Sequence, residues 1–142
     1  MLRLGGDKMK SLEEVKKFLK GDWEKIFPHD NFFGWVRSSV AEFNPDSYKP
    51  ERKSKCPKLT KKNVIKVMKD YMSFAWEKAN DKRGISANRS IDHFKGWLWL
   101  LGDEESIEYL KANYAPYGKP GLAYICKKYG FINEDNGDIS CY

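Results

Sequence analysis

The chain has 142 residues, a formal net charge of +6, 41% hydrophobic residues and 15% aromatic residues. This length predicts one domain that buries its own core. No apolar run approaches the roughly 18 residues of a membrane span, and the first residues lack the apolar region of a secretion signal. Three widely spaced cysteines argue against a disulfide framework or a zinc site, so we expect reduced thiols and a cytoplasmic location.

The N-terminal part predicts short helices with clear boundaries. Ser11 and Glu14 form a capping-box pattern, and Gly21 ends the amphipathic stretch that follows. Asp30 is placed to cap the next helix, which Asn44 and the following proline end.

A long helix follows a segment without periodicity. Residues 46–59 hold two prolines and predict an exposed basic connection. Thr60 then caps a helix that runs to about Asn80. One arc of this helix is apolar, and the opposite arc carries lysines.

The segment between Ser86 and Gly102 carries the strongest helical pattern. Ser86 is placed to cap the helix and Gly102 to end it. At about 100° per residue, one face is apolar and holds Ala87, Ile91, Phe94, Leu98 and Leu101, with Trp97 at its margin. We expect this helix to be the centre of the fold.

Two further helices complete the prediction. Asp103 is placed to cap the first, and Pro120 and Gly130 to begin and end the second. No segment alternates as a half-buried strand does. We therefore expect an all-α fold, a single compact domain of six or seven short-to-medium helices around an aromatic-rich core.

The predicted helices also give the domain organisation. Residues 1–10 are expected to be disordered, and residues 11–131 to form the single helical domain. The acidic residues 132–142 are expected to form a loosely ordered tail.

The excess positive charge lies in one window. Residues 49–69 hold nine cationic residues and one acidic residue, Glu51, which gives a net charge of +8. Because the whole chain carries +6, the remaining residues carry −2. The cations are Lys49, Arg52, Lys53, Lys55, Lys58, Lys61, Lys62, Lys66 and Lys69. A basic connection that leads into a basic helix face suits a phosphate backbone, and lysine favours contact without base reading.

Three interpretations of this pattern stay open. The first is a non-enzymatic protein that contacts nucleic acid or a nucleoprotein without strong sequence specificity. The second is an inhibitor or adaptor, of the accessory kind found in phages and mobile elements, that docks on an acidic protein surface. The third is a self-associating structural protein, and the sequence leaves the oligomeric state open. A solvated lysine surface without a ligand is the alternative to the first two.

Two smaller groups are secondary binding candidates. Arg89 and His93 share a helix face with Gly96, as an anion grip or as a surface for close packing against a neighbouring helix. Tyr114 and Tyr117 lie in a loop, where exposed rings would contact a partner.

No motif predicts catalysis. The chain lacks a phosphate-binding glycine loop, a dinucleotide fingerprint and paired metal-ligand spacing. The basic surroundings of Cys56 would lower the pKa of its thiol, but neither histidine can be placed beside it. We expect no catalytic residue, no metal and no cofactor.

Overall fold

The fold is all-α within the residues that the structure describes. A computed structural model describes residues 9–22, 32–47, 56–79, 88–113 and 119–131. Six α-helices and no strand lie in these ranges, which confirms the predicted fold class. They are α1 Leu12–Lys17, α2 Phe32–Ala41, α3 Lys61–Ala79, α4 Asn88–Leu101, α5 Glu104–Ala112 and α6 Lys119–Tyr129. A π-helical turn follows α1 at Phe18–Asp22, and a 3-10 turn at Pro45–Ser47 follows α2.

Several helix boundaries follow the predicted caps, while the predicted boundary residues Asp30, Asn80 and Ser86 lie outside the described residues. The Ser11 hydroxyl accepts from the Glu14 backbone N–H at 3.1 Å, and the Ser11 N–H donates to the Glu14 carboxylate at 2.9 Å. Thr60 accepts from the Asn63 N–H at 3.1 Å at the start of α3. Gly102 ends α4 with φ of 73°, a left-handed conformation that glycine adopts without strain.

Helix α4 is the centre of the core, as its apolar face predicted. It packs against α2, α3 and α5. Its last turn is buried almost all round: Trp97, Leu98, Leu100 and Leu101 are buried and only Trp99 is partly exposed. The sequence pattern of an apolar last turn therefore reflects packing on several sides.

Gly96 permits a close crossing of α2 and α4. A Cβ built at Gly96 would lie 2.3 Å from Ser39 Cβ and 3.2 Å from Val36 Cα. The Ser39 hydroxyl donates to the His93 carbonyl oxygen at 2.9 Å across the same crossing. At Gly96 and His93 the polar face of α4 is therefore a helix contact.

Asp103 joins α5 to α6. Its carboxylate accepts from the Ser106 hydroxyl at 2.6 Å, the Lys128 ammonium at 3.0 Å and the Tyr129 hydroxyl at 2.5 Å. Burial alone would raise the pKa of Asp103, but these hydrogen bonds to the carboxylate outweigh it and lower the pKa.

Several details differ from the sequence-based expectations. Met9 packs against the core and the Lys10 N–H donates to the Leu100 carbonyl at 2.8 Å, while residues 1–8 lie outside the described residues. Lys95, a residue type that is usually exposed, is buried and pairs with Asp92 at 2.9 Å. Residues 46 and 47 belong to the 3-10 turn, so the connection predicted for 46–59 begins with ordered structure.

Candidate functional site

Exposed lysines just before α3 and in its first nine residues form a surface, which we call the lysine face. Its members are Lys58, Lys61, Lys62, Lys66 and Lys69, all exposed. Four other cations of the predicted basic window, Lys49, Arg52, Lys53 and Lys55, lie outside the described residues. The orientation of the lysine face is set by the core, because the opposite side of α3 buries Val64, Met68, Met72 and Ala75.

The start of α3 carries positive charge where a helix prefers negative charge. No acidic residue lies in its first turn, while Lys61 and Lys62 stand at the positive end of the helix dipole. Each such cation costs about 0.3–1 kcal/mol of helix stability at a surface. An anion bound there would reverse that cost.

One ion pair partly neutralises the lysine face. The Lys66 ammonium lies 3.1 Å from the Asp70 carboxylate, and the two side chains are 70% and 65% exposed. Solvent and salt screen such a pair, so it contributes little to stability. Lys66 can therefore exchange this partner for a phosphate at low cost.

A cavity lies beside the lysine face. It has a volume of about 250 Å³ and is lined by Glu42, Val67, Asp70, Tyr71 and Trp97. Val67, Asp70 and Tyr71 are three and four residues apart on α3 and so share a side of that helix. Trp97 comes from α4, and Glu42 follows the end of α2. Sequence reasoning missed this cavity because its residues converge from three helices.

Two polar groups of the cavity lack compensation among the described residues. Burial raises the pKa of the Glu42 carboxyl, and no cation pairs with it there. The indole Nε1 of Trp97 is buried and has no hydrogen-bond acceptor. A buried polar group without a partner costs free energy, so the indole N–H lowers the stability of the fold.

His93 lies in the contact between α2 and α4. Its ring is 3.5 Å from the Ser39 hydroxyl and packs against the ring of Tyr71 with centroids 5.4 Å apart. Burial lowers the pKa of His93, and the negative charge of Asp92 opposes this in part. The contacts of His93 agree with packing against a neighbouring helix, one of the two alternatives for the face that it shares with Gly96. The side chain of Arg89 lies outside the described residues.

The cysteines differ from the expectations. Burial first, and the negative charge of Glu42 second, raise the pKa of Cys56, so the predicted lowering is wrong. The thiol donates to the Glu42 carbonyl oxygen at 3.2 Å, a contact that sequence spacing does not show. Cys126 is disulfide-bonded and Cys56 is free, so the expectation of reduced thiols throughout is also wrong. The remaining cysteine, Cys141, lies outside the described residues.

The tyrosines of the C-terminal half divide into packed and undescribed ones. The rings of Tyr109 and Tyr124 stack with centroids 4.1 Å apart and an interplanar angle of 11°, which joins α5 to α6. Tyr114 and Tyr117, the rings proposed to contact a partner, lie outside the described residues.

Three further findings concern membrane-spanning helices, metal sites and similarity to known proteins. Among the described helices, none combines the length and the apolar character that a membrane crossing requires. Within the same part of the chain, no three His, Cys, Asp or Glu side chains come together as a metal site. Comparison with protein-family models, with curated proteins and with solved structures finds no match to this chain.

Proposed function

We propose that the protein binds the phosphate backbone of nucleic acid through the lysine face, without strong sequence specificity. The observation that carries the proposal is the placement of Lys62, Lys66 and Lys69 on the exposed side of a long helix whose other side lies in the core, with Lys58 and Lys61 exposed at its start. A rigid helix presents these cations together, so less ordering entropy is lost when phosphates bind.

The electrostatics of α3 favour an anionic ligand. The lysine face combines five ammonium groups with the positive end of the helix dipole, and the Asp70 carboxylate pairs with Lys66. Lys62, Lys66 and Lys69 are spaced four and three residues apart, so they form one stripe about 10 Å long. A stripe of this length spans successive phosphates of one strand. It consists of lysines and contains no arginine, the side chain that recognises bases through two parallel hydrogen bonds.

The test is a salt titration. Fluorescence anisotropy would measure the affinity for a labelled 20-nucleotide single strand, RNA and duplex DNA. If each of the five lysines neutralises one phosphate, the affinity for duplex DNA falls about 500-fold between 50 and 200 mM salt.

Matched charge reversals distinguish the contribution of the lysine face to binding from that of the overall net charge. Lys58→Glu, Lys61→Glu and Lys62→Glu together change the net charge from +6 to 0, as do Lys17→Glu, Lys20→Glu and Lys127→Glu at other exposed positions. In a plot of log affinity against log salt concentration, we expect the slope for the first variant to be smaller by about three. The slope for the control should equal that of the parent. Equal losses would show that net charge alone governs binding.

The alternative partners appear as outcomes of the same experiment. No binding to any nucleic acid at 50 mM salt would contradict the proposal. Equal affinity for polyglutamate of matched charge would favour an acidic protein surface. Sedimentation as a dimer that the first triple variant dissociates would favour self-association through the lysine face.

A further inference from the structure

An exposed apolar stripe on α3 continues the wall of the cavity outward. Phe74 is 45% exposed, and within the described residues it is the large hydrophobic side chain that solvent reaches most. Its ring packs against that of Tyr71, a lining residue of the cavity, with centroids 5.4 Å apart. Val67, Tyr71 and Phe74 are four and three residues apart, so they form a stripe about 10 Å long on one side of α3.

We call the cavity and this stripe together the cavity face. Its members are Glu42, Val67, Asp70, Tyr71, Phe74 and Trp97.

The cavity face has more carboxylates than cations. Glu77 is exposed and lies seven residues after Asp70, so both border the stripe on the same side of α3. Lys66 pairs with Asp70, and the Lys78 ammonium lies 5.2 Å from the centroid of the Phe74 ring. Glu42 and Glu77 have no ion-pair partner among the described residues. The local charge is therefore negative, although the chain as a whole carries +6.

The shape and lining of the cavity suit one long side chain. Its volume of about 250 Å³ lies just under the 300–1,000 Å³ range of sites for drug-sized ligands. Glu42 is half-buried, whereas the Asp70 side chain is 65% exposed, so Glu42 lies deeper than Asp70. Val67 and Tyr71 offer apolar contact to an aliphatic stem. The complementary group therefore combines such a stem with a cationic end.

We propose that the cavity face docks a basic amphipathic segment of a partner protein, which places an arginine in the cavity and an apolar side chain against Phe74. A guanidinium donates two parallel N–H groups to a carboxylate, stacks on aromatic rings and is more weakly hydrated than an ammonium. It would compensate the charge of Glu42. A helical segment places two side chains four residues apart at about 6 Å, which matches the step from Tyr71 to Phe74.

Other macromolecules fit this surface less well. The carboxylates repel a phosphate backbone or an acidic segment. Lys69 of the lysine face lies five residues before Phe74, about 140° around α3, so the two surfaces point in different directions. A second copy of the chain in a two-fold dimer would bring the same carboxylates face to face.

The test begins with a selection from phage-displayed random peptides of about four helical turns. We expect enrichment of basic peptides that carry an arginine three or four residues from a large apolar residue. A chain of charge +6 repels such peptides overall, so their binding reports a local surface. Fluorescence anisotropy then measures an enriched peptide and its analogue with citrulline, the neutral isostere of arginine. We expect the analogue to bind about 10-fold more weakly or worse.

Variants locate the binding surface. Glu42→Gln removes a half-buried carboxylate that has no described ion pair, and Phe74→Ala removes an exposed ring, so both should fold, as circular dichroism would verify. We expect each to weaken peptide binding about 10-fold. Glu13→Gln, exposed on α1, changes the net charge equally, and Ser73→Ala alters an exposed neighbour on α3; both should bind as the parent does. Unchanged binding in either Glu42→Gln or Phe74→Ala would overturn the proposal.

The remaining outcomes identify other occupants. Enrichment of acidic peptides alone, or of no peptide, would overturn the proposal. Loss of affinity for a labelled single strand in Phe74→Ala would assign the cavity face to nucleic acid instead. A dimer that Phe74→Ala dissociates would assign it to a second copy. The salt titration of the lysine face decides the proposed function separately, so failure of one proposal leaves the other standing.

Discussion

Replacement of Gly96 by alanine tests the closest helix contact of the fold. In an isolated helix interior this change would stabilise by about 1 kcal/mol. Here the new Cβ would lie 2.3 Å from Ser39 Cβ and 3.2 Å from Val36 Cα, so α2 and α4 must separate. Overpacking of this kind costs about 1–3 kcal/mol or more, and contact with backbone puts it at the upper end.

The expected net loss is about 2 kcal/mol, since the steric cost exceeds the gain in helix propensity. For a chain of this length the melting temperature would fall by about 6–10 °C. Thermal unfolding followed by circular dichroism measures it, with denaturant titration as an independent estimate.

Gly121→Ala is the control for the helix-propensity gain. Its Cβ would meet Ile91 Cδ1 and Leu110 Cδ2, both at 2.8 Å, which are the ends of flexible side chains. We expect a change within about 1 kcal/mol, because such groups move aside more readily than backbone.

A double-mutant cycle isolates the contact. Ser39→Gly removes the opposing Cβ, so Gly96→Ala should cost at least about 1 kcal/mol less in that background. An unchanged or raised melting temperature for Gly96→Ala alone would refute the reasoning, as would strict additivity in the cycle.

The remaining predictions concern protons and thiols. Because burial lowers the pKa of His93, the unfolded state binds its proton first, and the free energy of unfolding falls as the pH drops from 7 towards 5, by at most about 1.4 kcal/mol per pH unit. The raised pKa of Glu42 changes the free energy of unfolding in the opposite direction over the same pH range. The measurement is therefore the difference in the free energy of unfolding between the parent and His93→Gln at each pH. Identical pH profiles for the two proteins would contradict the prediction. With the pKa of Cys56 raised, the folded protein should react with a thiol reagent at pH 7 more slowly than the denatured protein, and equal rates would count against the burial argument. In denaturant without reductant we expect one reactive thiol, and three after reduction; three without reduction would exclude the disulfide at Cys126.

Local signals predicted much of the fold because they act over a few residues. The capping box at Ser11 and the caps at Thr60 and Asp103 lie where the pattern placed them. The apolar face of α4 is likewise buried, since helical periodicity places Ile91, Phe94 and Leu98 on one side. The exposure of Lys62, Lys66 and Lys69 followed from the same periodicity in α3.

The sequence by itself determined the all-α fold, several helix ends and the side of α3 that carries charge, because hydrophobic periodicity and capping are local properties. Only the tertiary structure decided that Gly96 meets Ser39, that Lys95 is buried and that burial raises the pKa of Cys56. It also decided that Glu42, Asp70 and Trp97, from three separate parts of the chain, line one cavity. Burial and desolvation depend on which helices cross and how closely, and no pattern within a single helix encodes that crossing.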